Sequence, residues 1–298
     1  MASGPTPKDD CITKPDILTK FGVPSCAKAW FYTLIPAVAF FNNEKEENAK
    51  NKLDSPILIA WDKPLKSNAS DKKQSPKKVY GIFQSHIVFY DQLSKLDNDK
   101  RYAYEIIPKN HKCKAYWDIE FEISDFENED EQQRAKLDIL FLLKQWIKEL
   151  KSIIKDIFKV DAKVCTLDGS RVIETLNEKS ALKFSFHVIV YNLVFETNQS
   201  KAFKYLREKL PTLYESFAYL KRNGEVFDFG PKSVDKFAPD MGVWKENQIF
   251  RCIHCSKRGG STPLTLLDFE GLSDSEEILD TFITYLQDDD VHCIKKTL

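Results

Sequence analysis

The sequence has no apolar run long enough to cross a bilayer. Its longest, "AWFYTLIPAVAFF" from Ala29 to Phe41, has thirteen residues and contains a proline, where a spanning helix needs roughly 20 residues. No signal peptide is expected. The seven cysteines, Cys11, Cys26, Cys113, Cys165, Cys252, Cys255 and Cys293, are an odd number that fits free thiols in a reducing compartment better than a disulfide framework. A soluble, intracellular protein is expected. A charge excess of one sign is also missing, since 44 basic residues stand against 45 acidic ones, and the bulk charge therefore points to no partner. No internal repeat is found.

The 298 residues are 42% hydrophobic and 12% aromatic, enough to bury a sizeable core as one large domain or two intimate lobes. Charge that cancels overall is concentrated locally. Eight of the fourteen residues from Asp118 to Glu131 are acidic, whereas Lys232 to Arg258 holds six basic residues against three acidic ones.

The acidic stretch opens with "KAYWDIEFE", Lys114 to Glu122, in which Ala115, Trp117, Ile119 and Phe121 alternate with polar residues. A period of two predicts a β-strand with one apolar face and one face carrying Asp118, Glu120 and Glu122. Like charges along a strand repel, and acidic residues are poor strand formers, so the arrangement calls for a counter-charge. Asp118 and Glu120 point the same way, with Cα atoms about 6.6 Å apart. They are placed to converge on hard divalent cations such as Mg²⁺ or Mn²⁺, and two such ions about 3.5 to 4 Å apart stabilise both the attacking and the leaving oxygen in phosphoryl transfer. An acidic, solvated strand face is the plainer alternative.

Elsewhere, residues 1–26 read as a polar, proline-rich flexible tail. "SPILIAWDK" and "KKVYGIFQSHIVFY" read as strands separated by a lysine- and serine-rich loop. After a turn at "SDFENED", a long helix is predicted from near Glu131, with Leu140, Leu143, Ile147, Leu150, Ile154 and Ile157 on one stripe. "KVCTLDGS" and "KFSFHVIVYN" are further strands, and a helix capped by Thr197 or Asn198 runs towards Pro211. "APDMGVWKENQIFRCIHCSKRGG" reads as a hairpin turning near Glu246 and Asn247. The order of elements predicts the α+β class, a sheet with helices packed on it.

Two of these segments carry further chemistry. In "KFSFHVIVYN", Ser185 and His187 share a strand face and follow Lys183, a set able to hold phosphate oxygens; a hydrogen-bonded core histidine is the plainer account of His187 alone. A Ser-His nucleophile is disfavoured because no Gly-x-Ser-x-Gly elbow is present. The hairpin offers Asp240 as another carboxylate and Arg251, Lys257 and Arg258 as cations suited to phosphate. Cys252 and Cys255 form half of a common zinc motif, but strand alternation sets them on opposite faces, so structural zinc is not expected.

"YEIIPKNHKCKAYWDIEFE", "LKFSFHVIVYNLVF" and "PDMGVWKENQIFRCIHCSKRGG", in that order, resemble the three catalytic motifs of the archaeo-eukaryotic primase superfamily, closest to its PrimPol branch. Together the motifs span about Tyr104 to Gly260. The resemblance implies an N-terminal α/β lobe over 27–110, a catalytic lobe with an RNA-recognition-type sheet over 111–270, a C-terminal helix or tail over 271–298, and an active cleft between the lobes. It implies that Asp118, Glu120 and Asp240 are catalytic and bind two Mg²⁺ or Mn²⁺ ions. Lys183, Ser185, His187, Arg251 and Lys257 would then bind the nucleotide's triphosphate. The implied activity is DNA-directed nucleotidyl transfer by a monomer acting on a single-stranded DNA template and primer with NTP or dNTP substrates. A helicase or single-strand-binding protein is the implied further partner.

The chain departs from the family pattern at two points. Asn247-Gln248 stands where relatives tend to carry Asn-Arg, and no four spaced zinc ligands follow Gly260, as expected either of a catalytic-core fragment or of a protein without the family's zinc-binding domain, so primer extension is expected over unaided primer synthesis. A metal-dependent nuclease and a catalytically inactive template-binding subunit are the rival readings.

Overall fold

The computed structural model describes residues 22–63, 77–124, 129–174, 180–210, 219–222, 225–228, 239–286 and 292–294. In chain order its strands are Ala29–Phe31 (β1), Ile57–Asp62 (β2), Lys78–Phe83 (β3), Ala103–Ile107 (β4), Cys113–Ser124 (β5), Val164–Asp168 (β6), Arg171–Glu174 (β7), Ser180–Phe195 (β8), Tyr219–Arg222 (β9), Glu225–Asp228 (β10), Gln248–Arg251 (β11), Thr265–Leu266 (β12) and His292–Ile294 (β13). The α-helices are Leu34–Lys50 (α1), His86–Ser94 (α2), Glu129–Phe158 (α3) and Lys201–Lys209 (α4). The fold is mixed α+β with largely antiparallel sheets, and the chain divides into two compact units, residues 1–109 with 247–264 and residues 110–246 with 265–298.

The first unit is a five-stranded antiparallel sheet in the order β1-β3-β2-β4-β11. Every residue of β2 is buried, because both faces are covered and "ILIAWD" has no solvent side on which to alternate. On one face, Phe31, Leu58, Ala60, Ile82 and Ile106 pack with Ala37 and Phe41 of α1. On the other, Trp30 meets Trp61 and Phe83 edge-on, and Phe83 meets Phe89 of α2. Gly81 admits this packing, since a Cβ there would lie 2.7 Å from the Trp30 ring. Gly81→Ala is therefore expected to lower stability by about 1–3 kcal/mol, read as a lower denaturation midpoint.

The second unit is built around β8. β5 runs antiparallel along one edge of β8, while β7, β6 and the parallel β13 follow one another along the other edge. The apolar stripe of α3 buries Ile139, Leu143, Trp146, Ile147, Leu150 and Ile154. Trp146 packs edge-on against Trp117 of β5 at 5.9 Å, so α3 lies on the face opposite the carboxylates. Phe203 of α4 stacks on Phe195 of β8, with centroids 4.7 Å apart. No helix among the described residues is long and apolar enough to cross a membrane.

Several expectations need correction. "SHIVFY" does not extend β3; Ser85 turns the chain into α2 by accepting a hydrogen bond from the Val88 N–H. α4 starts three residues after Asn198 and is capped by Ser200, because Thr197 and Asn198 are engaged elsewhere. No hairpin forms among the described residues of "APDMGVWKENQIFRC". Met241–Trp244 is a 3₁₀ turn, and β11 pairs with β4 of the first unit, so residues 247–264 belong there instead of continuing the second lobe to residue 270. The sheet of the first unit is antiparallel and not of the α/β kind. Among the described residues of 271–298 there is no α-helix, only the 3₁₀ turn Ile278–Thr281 and β13. The expected tail up to residue 21, the whole lysine-rich loop and the core of the "SDFENED" turn lie outside the described residues.

Candidate functional site

The counter-charge required by the acidic strand stands on β8. In the β5–β8 register, Asp118 is opposite His187, Glu120 opposite Ser185, and Glu122 opposite Lys183. Residues directly opposite in an antiparallel pair share a face, so Asp118 and Glu120 share a face with His187 and Ser185. The apolar sets interleave on the reverse side, with Ile119 opposite Phe186 and Trp117 opposite Val188. Two alternating patterns that were separate in the sequence thus become one polar surface.

Side-chain contacts follow this register with one diagonal. The Lys183 ammonium reaches Glu120 Oε2 at 2.9 Å, one step along from its direct partner. Ser185 Oγ donates to Glu120 Oε1 at 3.4 Å, and His187 Nε2 lies 3.8 Å from Asp118 Oδ1. Burial is graded across the surface. Ser185 and His187 are buried, whereas the Asp118 and Glu120 side chains keep 16% and 26% exposure. The carboxylates therefore open to solvent while their supports are fixed in the sheet.

Asp240 arrives at the free edge of β5. An isolated antiparallel bridge joins Pro239 to Ile119, and the Asp240 N–H donates to the Asp118 carbonyl at 2.9 Å. Its carboxylate caps the 3₁₀ turn that follows, accepting from the Gly242 N–H at 2.7 Å. The backbones of the three expected acids are thus adjacent in one unit, together with Lys183, Ser185 and His187.

Arg251 and Lys257 belong to the first unit. Arg251 is buried on β11 opposite Tyr104. Lys78 lies over the Tyr104 ring and pairs with the buried Asp62, and desolvation, with help from Asp62, raises the Tyr104 hydroxyl well above its ordinary range. Lys257 is exposed in the turn that Gly260 closes on it.

The alternation argument about Cys252 and Cys255 fails because β11 ends at Arg251. A turn closed by the Cys255 N–H on the Cys252 carbonyl leaves both thiols buried. Burial pushes Cys255 up to about 12 and Cys252 well above its ordinary value, so both remain protonated near neutral pH.

Among the described residues, no group of three or more His, Cys, Asp or Glu side chains is gathered so that it could hold a metal ion by itself. The donors still suit Mg²⁺ or Mn²⁺. Mg²⁺ is typically held by one or two carboxylates, with water and substrate phosphates completing its shell, and not by an all-protein cage. Asp118 and Glu120 on one open face supply hard oxygen ligands of that kind, and the backbone of Asp240 adjoins that of Asp118.

Sequence reasoning missed three parts of this surface. Arg171 of β7 pairs with Lys183, one residue beyond the predicted strand "KVCTLDGS". Ser170 Oγ accepts from the Ser185 N–H at 3.2 Å, a contact without a sequence signature. Asn198 was read as a helix cap, whereas its buried amide reaches Tyr116 and the backbone beyond Asp240. No family model matches the chain, and no curated protein matches it by sequence.

Proposed function

We propose that the chain is a metal-dependent nucleotidyltransferase of the primase-polymerase kind. It would extend a primer on a single-stranded DNA template and release pyrophosphate. The observation that carries this reading is the register of β5 against β8, which sets Asp118 and Glu120 across from His187 and Ser185 with Lys183 one step away. A carboxylate pair flanked by a lysine, a buried hydroxyl and a buried imidazole has the polarity needed to hold a cation and a polyphosphate side by side. The two-unit α+β architecture and the order of the motifs support an archaeo-eukaryotic primase fold, with the β8-centred sheet as its catalytic sheet.

In this reading Asp118, Glu120 and Asp240 are the ligands for divalent metal. When bound, Mg²⁺ or Mn²⁺ would supply Lewis-acid stabilisation of the attacking and leaving oxygens. Lys183, Ser185 and His187 hold phosphate oxygens of the incoming nucleotide. Catalysis then rests on positioning and on preset charge, with no covalent enzyme intermediate.

A nuclease built on the same carboxylates has less use for the Lys-Ser-His column. Primer extension with Mg²⁺ or Mn²⁺, run with each nucleotide set and with a no-primer control, is expected to lengthen labelled primer. The same DNA incubated without nucleotides is expected to stay intact; metal-dependent shortening there, with no extension, would replace this reading with the nuclease.

A further inference from the structure

The turn that presents Asp240 is held from below by a buried polar cluster. Tyr116 stands two residues before Asp118 on β5 and is fully buried. Its hydroxyl donates to the Val243 carbonyl at 2.6 Å and accepts from Asn198 Nδ2 at 3.2 Å. The same amide donates to the Lys245 carbonyl at 2.9 Å. Trp244 closes the circuit, its indole N–H donating to the Tyr116 carbonyl at 3.2 Å beneath the Arg207 guanidinium, 4.4 Å from the ring.

Three of these four bonds end on the backbone or ring of residues 243–245, three to five positions after the acid, and the fourth ties Asn198 to Tyr116. A 3₁₀ turn of four residues has little intrinsic stability, and Pro239 is joined to β5 by a single bridge. Left to itself, such a segment would sample many positions. Asn198 is 3% exposed, and a buried amide is retained at a cost unless its hydrogen bonds are made. Gly242 adds a steric condition, because a Cβ at that position would lie 2.9 Å from Asp240 Oδ1.

From this geometry we infer that Tyr116 and Asn198 are positioning residues that fix the Asp240 carboxylate beside Asp118, acting through the 241–245 turn. The inference rests on the proposed metal-binding role of Asp240 and deepens it. Partners that orient metal ligands typically change affinity about 10- to 100-fold when removed.

The test is Mn²⁺ binding by the full chain, counted by electron paramagnetic resonance without DNA or nucleotide, with thermal denaturation run in parallel. Tyr116→Phe keeps the ring on Phe203 and loses only the hydroxyl; it and Asn198→Ala should each weaken Mn²⁺ binding about 10-fold. Gly242→Ala should do the same by displacing the carboxylate directly. In an Asp240→Asn background, Tyr116→Phe should cause no further loss, since its effect would pass through a ligand already removed. Equal losses in both backgrounds, or unaltered Mn²⁺ affinity in a folded Tyr116→Phe protein, would overturn the inference while leaving Asp240 as a ligand. If Asp240→Asn itself binds Mn²⁺ normally, the role of Asp240 falls and this inference with it, whereas Asp118 and Glu120 stand or fall on their own variants.

Discussion

Replacing Asp118 and Glu120 together by alanine is expected to lower nucleotide incorporation by at least about 10²- to 10³-fold while leaving the protein folded. The two carboxylates are the hard-oxygen donors that share one face of β5, and the reading leaves Asp240 alone unable to replace them. Stability should change little. Both side chains keep part of their exposure, and their mutual repulsion is relieved. The groups left behind tolerate the loss, because Lys183 keeps partial exposure and a histidine carries no obligatory charge near neutral pH. The measurements are primer extension at saturating Mn²⁺ and the denaturation midpoint. A double variant that folds normally and extends at the unsubstituted rate would remove these residues from the chemistry.

What could be read in the sequence was periodicity, and what could not was partnership. The two-residue period in "KAYWDIEFE" and "KFSFHVIVYN" assigns Asp118 and Glu120 to one face and Ser185 and His187 to another, and β5 and β8 carry both assignments. Nothing in either segment states that the two faces are one surface in a register that matches Asp118 to His187. That depends on β8 being long enough to pair with β5 on one edge and with three shorter strands on the other. The errors share this origin. "SHIVFY" is short and apolar enough to pass for a strand, and the Ser85 cap decides for α2. "VWKENQIFRC" looks like a hairpin because Asn247 does turn the chain, with φ of +52°, yet the strand it leads to pairs with β4, more than 140 positions earlier. Asn198 has the chemistry of a helix cap, and its burial against Tyr116 and Lys245 is visible only once the strands are paired.

Lys183 makes the second large prediction, because its contact with Glu120 gives it two roles that one substitution separates. The ammonium is 2.9 Å from Glu120 Oε2, so it neutralises a carboxylate that the proposed function assigns to metal. A triphosphate entering the face offers the same ammonium a more highly charged partner, and Glu120 is released to its own role as that exchange occurs. Lys183→Ala is therefore expected to weaken nucleotide binding by roughly 10- to 150-fold, the loss of a charge-assisted phosphate contact of about 1.5–3 kcal/mol. Without nucleotide, the same variant should bind Mn²⁺ more tightly, by up to about 5-fold, since a competing cation worth about 1 kcal/mol has gone. Template affinity should hold, because Lys183 stands over the carboxylate face and is one of many cations in the chain. Fluorescence anisotropy with a labelled nucleotide, Mn²⁺ titration of the free protein and single-stranded DNA binding at fixed salt give the three readings. Normal nucleotide binding with lost DNA binding would move Lys183 to the template. Weaker Mn²⁺ binding in place of tighter would mean that the Lys183–Glu120 pair orients the carboxylate for metal instead of competing for it.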